Sequence, residues 1–214
     1  MLALVMLNLL VAVQATPPPT IPDAATILQR SEARWQGLTS YQVPVTIGGS
    51  VRVAFISLPF KMTGTQYYQA PDAQALHLDN PPRAARSLGN SLSTMGTPQT
   101  WLRDYSISLP SSQPHGHHYA YVLTGTPKQQ NRVKTMTMSV SATTYAIESV
   151  TFSYTNGATL AVTFHRKPGE TQYHLPRSAT VSAHFPGYSG NATITYGAYQ
   201  LNQPIPAAVF EPQH

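Results

Sequence analysis

From Tyr41 onward the chain keeps a period of two. Tyr41, Val43, Val45 and Ile47 alternate with polar or small residues, and Val51, Val53 and Phe55 alternate again after Gly48-Gly49-Ser50. Only an extended strand puts every second side chain on one face, so this pattern commits the chain to sheet. The Gly-Gly-Ser between the two runs predicts a hairpin turn at 48–50. Further strands are expected at 60–68 and 74–78, parted by Ala70-Pro71-Asp72, and then at 102–109, 118–125, 133–141, 145–155, 158–166, 177–185 and 191–201. Asn156-Gly157 is the strongest short hairpin signal among them. Residues 110–116 read as a loop within one domain.

The segment before these strands has a different period. Asp23 stands where a helix N-cap belongs, and Ala24, Ile27, Leu28, Trp35 and Leu38 recur at helical spacing around a stop at Gly37. This predicts an amphipathic helix over 23–37. A second, short helix is expected after Pro81-Pro82, where Ala84, Leu88 and Leu92 share one face. So many antiparallel strands must curl, and two short helices cover one face at most. The expected fold is mainly β, of the α+β kind. It is a strongly curved antiparallel sheet, an incomplete β-barrel, with one N-terminal helix and a short inserted helix in its concave face. Such a sheet encloses apolar volume that its own side chains need not fill.

Residues 1–15, MLALVMLNLLVAVQA, hold no charged side chain and are too short to span a bilayer, which takes about 20 residues. Val13 and Ala15 sit three and one before a favourable cleavage point, so a secretory signal is expected there. Residues 16–22, TPPPTIP, then form a Pro-rich linker, and 23–214 a single domain. The expected protein is exported, periplasmic or otherwise extracytoplasmic, soluble and monomeric.

Composition removes most chemistry. Charged residues are 10% of the chain, against roughly 25% in ordinary soluble proteins, while 42 of the 214 residues are Ser or Thr. That balance excludes a coiled coil or helical repeat, and 42% hydrophobic residues with a net charge of +5 exclude charge-driven disorder. With no cysteine there is no disulfide, thiolate zinc site, iron–sulfur cluster or cysteine nucleophile. Pro114-His115-Gly116-His117-His118 lies among turn residues without an HExxH companion and reads as a loop, so no metal is expected. Gly187-Tyr188-Ser189-Gly190-Asn191 lacks the last glycine of a nucleophile elbow and leads into a strand. The eight acidic residues offer no recognisable paired-carboxylate spacing. No catalytic residue, enzyme activity or cofactor is expected. The cations, densest at Arg83/Arg86, Lys128/Arg132/Lys134 and Arg166/Lys167, form no stripe for nucleic acid. They allow a transient contact with an anionic membrane surface.

What remains is a set of apolar and soft side chains: Met62, Leu76, Leu78, Met136, Met138, Val140, Phe152, Tyr154, Leu160, Val162 and Phe164 on the strands, with Leu88 and Leu92 on the inserted helix. Singly each is ordinary core. Together they are candidates to line a cavity, since methionine adapts to irregular guests and Met136 and Met138 share one strand face.

The order of several local phrases now matters. They are Trp35-Gln36-Gly37-Leu38-Thr39-Ser40-Tyr41, Pro59-Phe60-Lys61-Met62-Thr63-Gly64, Tyr67-Tyr68-Gln69-Ala70-Pro71-Asp72 and Tyr121-Val122-Leu123-Thr124-Gly125-Thr126-Pro127-Lys128. The Asn156-Gly157 hairpin, Leu175-Pro176 and Gln203-Pro204-Ile205-Pro206-Ala207-Ala208-Val209-Phe210 complete the series. Over residues 24–211 the chain resembles the bacterial outer-membrane lipoprotein carrier (LolA-like) superfamily. The resemblance implies a half-barrel, open at one side, whose cavity takes acyl chains of lipoproteins or related amphiphiles without chemistry. It implies a lipid or lipidated protein as partner, or, in the alternative, an envelope protein bound by a sensor or scaffold. The arginine-centred latch of the best-known carriers has no single match here: Arg52, Arg83 and Arg86 stand equal.

Overall fold

In a computed structural model of the chain, residues 22–79, 98–115, 118–166 and 173–211 are described. They hold two α-helices, α1 Ala24–Ala33 and α2 Pro98–Asp104. The strands are β1 Ser40–Val53, β2 Ile56–Gln69, β3 Ala73–Leu78, β4 Tyr105–His115, β5 His118–Pro127, β6 Val133–Ser141, β7 Ile147–Tyr154, β8 Thr159–His165, β9 Ser178–Phe185, β10 Tyr188–Tyr196 and β11 Gln200–Leu201. All pair antiparallel in one sheet, ordered β3-β2-β1-β10-β9-β8-β7-β6-β5-β4, with β11 beside β1. β3 and β4 are the two ends of this path and do not pair, so the curved sheet is an open barrel. The fold class is the expected one.

Local chemistry explains the elements. Asp23 caps α1 by accepting the Thr26 amide at 2.7 Å, which satisfies one donor that the first turn leaves without a partner. The helix ends at Ala33, and a turn carries the chain to Gly37, whose φ of +86° suits glycine. At Asn156-Gly157 the expected hairpin joins β7 to β8: Asn156 Oδ1 accepts the Ala158 amide at 3.0 Å, and Gly157 has φ +81°. The turn at Ala70-Pro71-Asp72 joins β2 to β3 as expected.

Four boundaries differ. Gly48-Gly49-Ser50 does not turn the chain: β1 runs through it and the turn falls at Ala54-Phe55. A Cβ on Gly49 would lie 2.1 Å from the Asn191 carbonyl oxygen, so this glycine lets β10 pass close to β1. Residues 98–104 are helical, where a strand from 102 was expected. Pro98 opens the helix, a position that needs no amide donor, and Trp101 goes into the core beside α1. The expected loop at 110–116 is mostly strand, because a register shift between Ser108 and Ser111 leaves Pro110 unpaired. The last expected strand divides into β10 and β11. The expected inserted helix with Leu88 and Leu92, residues 1–21 and Gly116-His117 lie outside the described residues.

Register separates the two faces. One inward row runs Gly49–Ala192–Val181–Val162–Val150–Met138–Leu123. Its outward neighbour runs Gly48–Thr193–Thr180–Thr163–Ser149–Ser139. Much of the hydroxyl content of the chain therefore lies on the back of the sheet, where β-branched Thr suits a pleated, wetted surface. The inward face supplies two cores. One gathers Ile27 and Leu28 of α1, Trp101 of α2 and Leu123, Met136, Met138 and Val150 of the sheet. The other is built on β1, β2, β8, β9 and β10 around Val43, Val45, Met62, Val162 and Ala179.

Candidate ligand cavity

The second core is incomplete. Between the turn after α1 and the concave faces of β1, β8 and β10 lies a hollow of about 140 Å³, open on one side. Val45, Ile47, Val162, Phe164 and Ile194 supply much of its apolar wall. Trp35, Tyr41, Tyr173, Tyr196 and Tyr199 add rings, with Tyr41 stacked on Tyr68 at 5.3 Å and set edge-on to Tyr199 at 5.5 Å. Aromatic rings bury much area and still present a polar rim.

That rim is well bonded. Tyr199 donates to the Pro176 carbonyl at 2.7 Å and Tyr173 to the Gly37 carbonyl at 3.2 Å, while Tyr41 accepts from the Gln66 amide at 3.2 Å. Burial pushes the Tyr196 phenol up to about 12 and raises those of Tyr41 and Tyr199 as well.

Two arginines share the hollow. Arg166, just beyond β8, donates Nε to the His174 carbonyl and Nη1 to the Ile147 carbonyl, both at 2.7 Å, and its guanidinium carbon stands 5.5 Å from the Phe164 ring centre. Arg34, in the turn after α1, donates to the Thr144 carbonyl, and its Nε is buried with no partner. Burial lowers the pKa of both, without taking either out of the cationic form. The His174 imidazole is held below its ordinary value, first by burial and then by Arg34 and Arg166. Among the described residues the ion pairs are those of Arg103 with Asp72 and Asp104, so neither cation of the hollow is paired with a described carboxylate. No three His, Asp or Glu side chains gather as metal ligands among the described residues.

Of the side chains the sequence nominated, Leu76, Val162 and Phe164 line the hollow. Met62, Leu78 and Leu160 belong to the core around it, and Tyr154 packs against both cores. Met136, Met138, Val140 and Phe152 lie in the other core, the two methionines and Val140 with no exposed surface. Leu88 and Leu92 lie outside the described residues. Arg52, one of three arginines considered as a latch, is exposed near the end of β1, and Arg83 and Arg86 are outside the described residues. Arg34 and Arg166 are not among the expected cavity residues, Arg166 standing only in a scattered basic pair with Lys167, although the periods point to both. Arg166 continues Leu160, Val162 and Phe164 by two, and Arg34 follows Ile27 and Ser31 at helical spacing.

No protein-family model and no curated protein matches the sequence. Solved structures do match in shape. A DUF1329 family protein from Desulfovibrio piger superposes with a TM-score of 0.65 at 11% identity, covering 87% of this chain and 95% of its own. A putative outer membrane lipoprotein-sorting protein domain from Vibrio parahaemolyticus gives 0.62 at 13% identity over 87% and 95%. A LolA superfamily protein from Nitrosomonas europaea gives 0.59 at 12% identity over 90% and 99%. At such identities the likeness is one of fold, and in fold the chain is LolA-like.

Proposed function

We propose that the protein is an exported, monomeric carrier that holds the acyl part of a lipid or lipidated protein in this hollow and performs no chemistry on it. The observation that carries the reading is the unfilled concave face beside Val162, Phe164 and Ile194 in a LolA-like fold. The volume of about 140 Å³ is close to that of the engineered apolar cavity of about 150 Å³ that admits one benzene. It therefore takes about six carbons, and burying six CH₂ groups yields roughly 5 kcal/mol. The rest of a chain lies along the open side. A membrane offers the same gain per carbon, so a loosely fitting apolar wall is enough for a carrier that must also release.

Delipidated protein is expected to take up a fluorescent fatty acid saturably, at about one per chain. Native mass spectrometry of gently purified protein should show a bound amphiphile. Bare protein together with unsaturable uptake would overturn the reading.

A second reading, an envelope protein partner, has its own observation. The tip between β1 and β2 exposes Phe55 at 90%, with Val53, Ile56 and Leu58 about half exposed. Tyr188 pairs with Val53 beside them. A photo-crosslinker at position 55 would yield a discrete protein adduct in envelope extracts under this reading, and none if the hollow alone is used.

A further inference from the structure

A hollow meant only for hydrocarbon has no use for two guanidinium groups. Burying a cation is unfavourable unless a counter-charge or several hydrogen bonds compensate it. Here the carbonyls of His174, Ile147 and Thr144 occupy some N–H donors, but carbonyls are dipoles, and among the described residues no carboxylate pairs with either cation. Arg34 keeps a buried Nε without an acceptor. Glu148 is the carboxylate that acts on Arg166 electrostatically, and it forms no ion pair there; its Oε2 accepts from Ser139 instead. Arg166 is bonded to the His174 carbonyl, and Arg34, Arg166 and His174 all line the hollow, so two guanidinium cations and one imidazole meet in the cavity wall. The apolar wall of Val162, Phe164 and Ile194 bounds the same hollow.

We propose that Arg34 and Arg166, with His174 beside them, form a receptor for the oxyanion head of an acidic amphiphile, a carboxylate or a phosphate monoester, whose tail lies on the apolar wall. This rests on the carrier reading and specifies its cargo. Guanidinium suits the task because its planar fork meets two oxygens of a carboxylate or phosphate at once. A bound oxyanion supplies the missing acceptor for Arg34 Nε and a negative charge that no described carboxylate places there. It also sets direction: the head is buried at the arginines and the tail leads to the open side. A neutral alcohol or ester of the same chain length gains only the tail contribution.

The experiment compares three probes of one chain length on the delipidated full chain: dodecanoate, dodecyl phosphate and dodecan-1-ol. Trp35 and Trp101 line the hollow and report binding by their fluorescence. At least one acid is expected to bind about tenfold or more tightly than the alcohol. A preference for dodecanoate identifies a fatty-acid head and a preference for dodecyl phosphate a phosphate head. Arg34→Gln, which gives up one carbonyl bond, is expected to remove most of the advantage of the acids over the alcohol. Arg166→Lys keeps the charge and loses the fork, and is expected to weaken the acids by a smaller factor. Equal affinity of acids and alcohol in the unmodified protein overturns the receptor and leaves the carrier reading intact. Failure of all three probes to bind removes the carrier reading and this proposal with it. The comparison of probes needs no variant, so a misfolded Arg166 variant does not protect the idea.

Discussion

The two halves of the concave face are made by the same alternation in the same sheet, yet they end up different. Under α1, the row Leu123–Met138–Val150 is wholly buried, closed from above by Ile27, Leu28 and Trp101. One strand further, Val162 still belongs to that row, but beyond it the lining changes to Tyr41, Tyr196 and Tyr199 with two arginines. The difference lies in the cover. A helix laid on a strand face supplies matching apolar knobs, and methionine fills what gaps remain. Where the described elements leave the face uncovered, side chains with apolar bodies and polar ends take over, because they tolerate both water and an oily guest.

Methionine in the sealed half should be costly to remove. Met138→Ala is expected to lose about 2–5 kcal/mol of stability in urea unfolding, with acyl uptake per folded chain unchanged. A loss under about 1 kcal/mol would mean that α1 does not close this half. In the open half the expectation reverses. Leu76→Trp, on the wall of the hollow, should weaken fatty-acid uptake about tenfold, equivalent to 1.4 kcal/mol, while stability moves by less than about 1 kcal/mol.

Alkali should also tell the halves apart. Burial pushes the phenols of Tyr68 and Tyr196 up to about 12, and Tyr41 and Tyr199 move in the same direction. The unfolded chain releases these protons near pH 10, so the folded state holds them longer. Their contribution is complete below that pH and is lost as pH rises toward about 12 for Tyr68 and Tyr196. Ultraviolet titration should show a late-ionising tyrosine class that merges with the rest in denaturant. One early step for all tyrosines in the native protein would break the picture of a buried ring cluster.

The smallest effect concerns how α1 is set. The Thr26 amide holds the Asp23 carboxyl below its usual range. This contribution is present above the unfolded carboxylate pKa and fades as pH falls through the lowered one. Asp23→Ala should lower the melting temperature slightly at neutral pH, and the gap should close in acid. A gap that persists in acid would assign the effect to something other than the cap.

The comparison also shows what could be read in advance. Strand periodicity, the cap at Asp23 and the hairpin at Asn156-Gly157 are local, and local rules predicted them. The Gly48-Gly49 pair misled because its reason is non-local: the β10 backbone passes where a side chain would stand. The helix at 98–104 was hidden because Leu102, Tyr105 and Ile107 also suit a strand. Its outcome depends on Trp101 meeting Ile27 and Leu28 far away in sequence. At the cavity, apolarity was a poor guide. It nominated core and wall residues alike, since which inward side chain is covered depends on where α1 lies. The arginines were more telling, because a cation in register with Phe164 is the exception that a face period can expose.

The hydroxyl ladder on the back of the sheet has a consequence of its own. In the row from Thr193 through Thr180 and Thr163 to Ser149, every side chain carries an uncharged hydroxyl. A coat of that kind resists clumping without relying on mutual repulsion between ions. Its behaviour should therefore stay the same in brine and in dilute fluid.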